Sequence, residues 1–158
     1  MDVKGAGYGF LYAIFGLGAT VGAWSVGTIL AGRPRRHTVR ASLAGFAVAL
    51  AVFGLLRDPI PAYPVVFLVG LTYFLTITSL STMLQEHLDD EVRGRVMSLW
   101  IMGFGGTVPI GLLVAGALTA WISMSQLVVA GGLIALVLAI VARLNEDRTG
   151  PGTVQAAR

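Results

Sequence analysis

Two long stretches of this chain carry no formal charge. No Asp, Glu, Lys or Arg occurs between Pro59 and Gln85, and none between Val96 and Ala142. A run of about 20 apolar residues is enough to cross roughly 30 Å of hydrocarbon as an α-helix, so both stretches are read as lipid-embedded. Between them stands Asp89-Asp90-Glu91-Val92-Arg93-Gly94-Arg95-Val96-Met97, a dense cluster of both signs. Its position between two such runs makes it a short loop at a membrane surface.

The composition agrees. Of 158 residues, 56% are hydrophobic and 12% are charged. Water-soluble domains carry about 25% charged residues. A pI near 9.8 raises nucleic acid as a partner, but the basic residues fall in short segments between apolar spans and form no continuous basic face. Nucleic-acid binding is therefore excluded. The absence of cysteine removes disulfides and thiolate metal sites.

Hydrophobic length yields five helices and an all-α, polytopic membrane protein. The spans are about 7–31, 38–56, 62–85, 90–120 and 124–144. The second is the shortest, and Arg40 and Arg57 at its ends can snorkel to the headgroups. The last uncharged run is about twice a bilayer thickness, so it is divided near Trp121 to Ser125. Trp121 suits an interface, and Ser123 and Ser125 are polar turn formers. Residues 1–144 form the helical bundle. Residues 145–158, with Gly150-Pro151-Gly152, read as a disordered cytoplasmic tail. The N-terminal span is too long for a signal-peptide core and is expected to be a retained helix.

Lys and Arg set the orientation. If five helices alternate, nine of the eleven Lys and Arg residues lie on one side, and only Lys4 and Arg57 lie on the other. That side should be cytoplasmic, which puts the N-terminus outside and the C-terminus in the cytoplasm. An odd helix count with an external N-terminus is natural for part of a larger protein.

Three segments carry a family resemblance. Gly7-Tyr8-Gly9-Phe10-Leu11-Tyr12-Ala13-Ile14-Phe15-Gly16-Leu17-Gly18-Ala19 is similar to an eighth helix, Asp90-Glu91-Val92-Arg93-Gly94-Arg95-Val96-Met97-Ser98 to the loop entering an eleventh, and Pro109-Ile110-Gly111-Leu112-Leu113-Val114-Ala115-Gly116 to that helix itself. The chain resembles the C-terminal part of a major facilitator superfamily transporter, in the branch of enterobactin-exporter-like transmembrane secretion effectors. The resemblance implies helices eight to twelve of a twelve-helix fold and a location in a bacterial inner membrane. The first loop resembles the family's loop motif: Gly27 matches its first Gly, and Arg35 and Arg36 its closing basic pair. Ala31 replaces the expected acid and Pro34 an expected Gly, so a charge lock through that acid is not carried over.

Five groups of residues are candidates for function. In the cluster, Asp89 can cap a helix, and Asp90 and Glu91 then complement its dipole. Gly94 leaves room for a close neighbour, and Arg93 and Arg95 meet the headgroups. Two roles fit Asp90, Glu91, Arg93, Gly94 and Arg95: holding the loop in the cytoplasm, or forming a cytoplasmic gate whose ion pairs break and remake. Gly5-xxx-Gly9 and Gly18-xxx-Gly22 are small-residue spacings for close helix packing. Gly105, Gly106 and Pro109 mark a helix kink, because proline removes a backbone hydrogen bond. Thr72, Thr76 and Ser79 share one helix face; with Tyr73 they line a transport cavity, or they pack and bond their own backbone. Thr78, Ser81, Thr82 and Gln85 form a second stripe. His37 and His87 lie in loops and are read as surface residues.

No acid, base or His falls inside a span, so ion coupling has no carrier there. No nucleophile–base pair, metal-ligand spacing or phosphate loop occurs, so the chain is read as a non-enzyme with no cofactor and no metal. The expectation is a partial secondary-active exporter of small organic molecules such as drugs or siderophores. It would be completed by an N-terminal half-transporter chain or a second copy. The alternative is a non-transporting assembly or regulatory protein, or a truncated product without function of its own.

Overall fold

The computed structural model describes residues 5–32 and 35–148. Five α-helices run in order: α1 Gly5–Gly27, α2 Arg35–Leu55, α3 Pro59–Glu86, α4 Asp90–Leu118 and α5 Met124–Arg148. All five are long and apolar enough to cross a membrane. Helices are the expected solution, because hydrocarbon offers no partner to an open backbone N–H or C=O.

The boundaries shift in informative ways. α1 ends at Gly27, and residues 28–32 turn, held by the Leu30 N–H donating to the Ser25 carbonyl at 3.0 Å. α2 starts at Arg35, so Arg35, Arg36, His37 and Arg40 belong to a helix and not to a loop. The reading of His37 as a loop residue is therefore corrected. An α-helical first turn leaves long side chains free to reach the headgroups, so charge does not end the helix there. α3 begins at Pro59, where a missing N–H costs nothing because the first turn has no acceptor for it. α5 continues to Arg148, past the expected end at Leu144. Lys4, Arg33, Pro34 and the tail beyond Arg148 lie outside the described residues.

The turn between α4 and α5 carries a device that its Ser-x-x-Gln spacing foretells. The Ser123 N–H donates to Gln126 Oε1 at 3.0 Å, and the Gln126 N–H donates to Ser123 Oγ at 3.3 Å. This reciprocal capping box satisfies two otherwise orphaned donors at the start of α5. Trp121 stands on the turn with 87% of its surface exposed, as an interfacial Trp should.

Four helices pack side by side in the order α1, α3, α2, α5. Gly18 and Gly22 of α1 lie against the Phe67 and Leu71 carbonyls of α3, and Gly70 of α3 lies against the Phe15 carbonyl of α1. These residue pairs increase together, so α1 and α3 run parallel. Gly45 of α2 faces the Thr72 methyl group, and Ser42 of α2 faces Thr76, so α2 runs antiparallel to α3. Gly54 meets Val129 and Gly132 meets Ala51 and Ala47, which makes α5 antiparallel to α2. The Ser125 hydroxyl adds a hydrogen bond to the Gly54 carbonyl. Gly18 and Gly22 thus pack as their spacing allows, whereas Gly9 faces open space.

α4 differs. None of its described residues is buried, and Gly94, Gly103, Gly105, Gly106, Gly111 and Gly116 all face open space. The helix continues unbroken through Pro109. At 29 residues it is roughly 43 Å long, against a hydrocarbon core of about 30 Å. Its charged first turns therefore reach the headgroup layer.

A test of the α1–α3 seam follows. Gly18→Val, Gly22→Val or Gly70→Val places a branched side chain against backbone that has no rotamer to move away. Each should lose about 1–3 kcal/mol or more, read as a lower unfolding midpoint in a detergent titration. Gly9→Val should be nearly silent in the same measurement.

Candidate functional site

The charge cluster is built on the first turns of α4. Asp89 occupies the N-cap position with extended backbone (φ −63°, ψ 147°), but its side chain makes no capping bond. The expectation that its carboxylate caps the helix is corrected: the Asp89 backbone carbonyl accepts from the Val92 and Arg93 N–H groups at 3.1 and 3.0 Å. Asp90 and Glu91 sit in the first turn, where negative charge meets the positive end of the helix dipole. Arg93 Nη2 pairs with Asp90 Oδ1 at 2.9 Å, one turn apart. Both partners are open to solvent, the Asp90 side chain 89% so. A pair of this kind contributes only about 0.2–1 kcal/mol, so it can break and reform at little cost. Glu91 and Arg95 are exposed, and nothing lies within 4 Å of a Cβ built on Gly94.

The loop-motif residues are split between elements. Gly27 is the last residue of α1 and faces open space, whereas Arg35 and Arg36 open α2. Arg36 is exposed.

The polar face of α3 divides in two. Thr76 and Ser79 are buried. The Thr76 hydroxyl has two acceptors at 2.8 Å, Ser42 Oγ across the α2–α3 interface and the Thr72 carbonyl one turn back. Ser42 Oγ in turn donates to the Val39 carbonyl at 3.0 Å. Among the described residues, the buried polar ones are Thr38 and Ser42 on α2 and Thr76 and Ser79 on α3. By the antiparallel register of the two helices, they lie towards one end of this interface. Ser79, with no exposed surface, has no hydrogen-bond partner for its Oγ among the described residues. Thr72 bonds the Leu68 carbonyl at 2.6 Å and borders a shallow apolar groove with Gly45 and Val48 of α2. In the second stripe, Thr82 bonds the Thr78 carbonyl, and Gln85 Nε2 donates to Ser81 Oγ. His87 caps the end of α3: its backbone N–H reaches the Leu84 carbonyl and its Nδ1 the Met83 carbonyl.

Tyr73 faces another way. Its ring meets Phe15 of α1, Phe46 of α2 and Phe74 of α3, with centroid separations of 6.3, 5.6 and 5.5 Å. It also forms one wall of a cleft of about 430 Å3, whose other wall is Leu99, Trp100, Gly103, Phe104, Thr107 and Val108 of α4. Like the groove beside Thr72, it is open and apolar. Trp100 and Phe104, one turn apart, lie almost parallel at 16°, with centroids 6.3 Å apart. Sequence reading missed this wall, although aromatic residues at an i, i+4 spacing were its visible signal. Gly105, Gly106 and Pro109 flank the cleft along α4.

Five membrane-length helices, a cleft between two of them and a charged turn at one end now stand together. The sequence model of the Major Facilitator Superfamily matches residues 2–158. The chain belongs to the Major Facilitator Superfamily. It is thus an integral membrane protein of a transporter family. No curated protein and no solved structure matches it significantly.

The buried hydroxyls offer a contrast to measure. Thr76→Val removes an interhelical hydrogen bond and should cost about 0.6 kcal/mol, and at most about 1.7. Ser79→Ala removes a hydroxyl that has no partner, so stability should hold or rise. Chemical unfolding of the reconstituted chain reads both. A loss in Ser79→Ala as large as that in Thr76→Val would contradict the assignment.

Proposed function

We propose that the chain supplies helices eight to twelve of a secondary-active exporter of small organic molecules, of the kind that carries drugs or siderophores. The observation that carries this reading is the family match over residues 2–158, on five helices of membrane-crossing length. Alternating access takes two helix bundles rocking about a site at mid-membrane. The five described helices are less than one pair of bundles, so an N-terminal half-transporter chain or a second copy would complete the machine. The protein would sit in a bacterial inner membrane with its N-terminus outside. The Asp90–Arg93 pair, with Glu91 and Arg95, would act as a cytoplasmic gate, because a weak exposed pair can open without a large barrier.

Orientation is open to direct labelling, since the chain has no cysteine of its own. Single substitutions Leu56→Cys and Ile122→Cys should react with an impermeant maleimide added outside intact cells. Ala31→Cys and Leu88→Cys should react only after the membrane is opened. The reverse pattern would invert the topology.

Flux in proteoliposomes tests the rest. The chain alone should move no solute, and flux should appear when a portion supplying the seven remaining helices, one to seven, is present in the same membrane. A pair that assembles but moves nothing would sink the transport reading. In the active pair, Arg93→Ala/Arg95→Ala should slow flux several-fold at equal protein level; unchanged flux would leave the cluster a topological signal only.

A further inference from the structure

The starts of α2 and α4 differ in charge. Residues 33–40 hold Arg33, Arg35, Arg36 and Arg40, and no Asp or Glu occurs between Val3 and Arg57. The first turn of α2 accordingly contains no acid. At the start of α4, Asp89, Asp90 and Glu91 outnumber Arg93 and Arg95, and Arg93 is already paired with Asp90 at 2.9 Å. Arg36, by contrast, is exposed and makes no ion pair among the described residues.

Neighbouring helices leave this charge uncancelled. α3 and α5 both run antiparallel to α2, so their C-terminal ends lie towards its start. α3 ends on a single acid, Glu86, followed by His87. The last turns of α5 hold Arg143 and Arg148 with Glu146 and Asp147, equal numbers of each sign.

Depth decides which anion can meet the arginines. The membrane-length part of α2 runs from Arg36 to Leu55, 20 residues. Its length of about 30 Å equals the thickness of the hydrocarbon core. Arg36 therefore falls at the boundary between acyl chains and headgroups, and the positive end of the α2 dipole points into the same layer. Below it, Arg40, Ala44, Val48 and Val52 continue from Arg36 at i, i+4 spacing, one ridge of the helix. Ala44, Val48 and Val52 line the open apolar groove against Val65 and Leu68 of α3. A basic turn thus stands above an apolar channel along the same helix.

We infer that the start of α2 and the groove below it form a docking surface for an anionic phospholipid, with the headgroup phosphate at Arg35 and Arg36 and an acyl chain along the groove. A zwitterionic headgroup carries its own cation beside the phosphate, so it gains less from the arginines. A soluble anion leaves the groove empty. The surface does not depend on the transporter reading.

Native mass spectrometry tests this on the 158-residue chain, purified in non-ionic detergent and titrated with phosphatidylglycerol or phosphatidylcholine of the same acyl chains. The first phosphatidylglycerol should bind at least about fivefold more tightly than the first phosphatidylcholine. Arg35→Gln/Arg36→Gln should bring the two lipids within about twofold of each other. Arg35→Lys/Arg36→Lys should keep the preference, and so should Arg93→Gln/Arg95→Gln, which removes the same charge from the start of α4. Phosphatidylcholine should bind equally to every variant, which shows that the helices remain assembled. Glycerophosphoglycerol, the same headgroup without chains, should not displace the lipid. Equal affinity for the two lipids would overturn the inference, as would a preference that survives Arg35→Gln/Arg36→Gln. A preference lost equally in Arg93→Gln/Arg95→Gln would reduce it to total charge and remove the site. Displacement by glycerophosphoglycerol would make the occupant a soluble anion and overturn the lipid assignment.

Discussion

Backbone touching backbone at Gly18, Gly22 and Gly70 is the contact from which the rest of this structure extends. Lipid tails are as apolar as leucine, so burying leucine against leucine gains little in a membrane, and association depends on close fit. Three glycines let α1 and α3 approach until a carbonyl of one helix meets the missing Cβ of the other. With α3 held this way, its Thr72–Thr76–Ser79 face turns to α2, and Tyr73 is left at the junction of three helices. The position of Tyr73 then defines one wall of the cleft.

Polar groups play two unlike parts. The Thr76–Ser42 bond ties α2 to α3 where water is absent, and several other hydroxyls, such as Thr20, Thr28 and Thr107, return to the carbonyl one turn back. Such self-bonding hides polarity within a helix and leaves its outer surface apolar. The charged residues of the 89–95 segment stay outside the hydrocarbon, where ion pairs are cheap to exchange.

Much of this was legible in the residues. Charge-free runs located the helices, because an unpaired charge in hydrocarbon is too costly to hide. The boundaries were less legible: Arg35, Arg36 and His37 looked like loop and proved helical, since snorkelling side chains let a helix project beyond the lipid. The Gly18–Gly22 spacing announced a packed face, whereas Gly9, in a spacing of the same kind, faces open space. Spacing states what a face permits, and only a facing helix states what it meets.

By itself, then, the sequence determined that this protein lives in a bilayer as five helices and that its charges gather at the ends. Those conclusions rest on desolvation, a property each residue carries alone. Tertiary structure decided that Thr76 and Ser79 are buried beside α2 while Tyr73, between them and Thr72 in the chain, faces a cleft with Trp100 and Phe104. Which face of a helix meets a neighbour depends on crossing geometry between segments far apart in the chain, and no local pattern contains it.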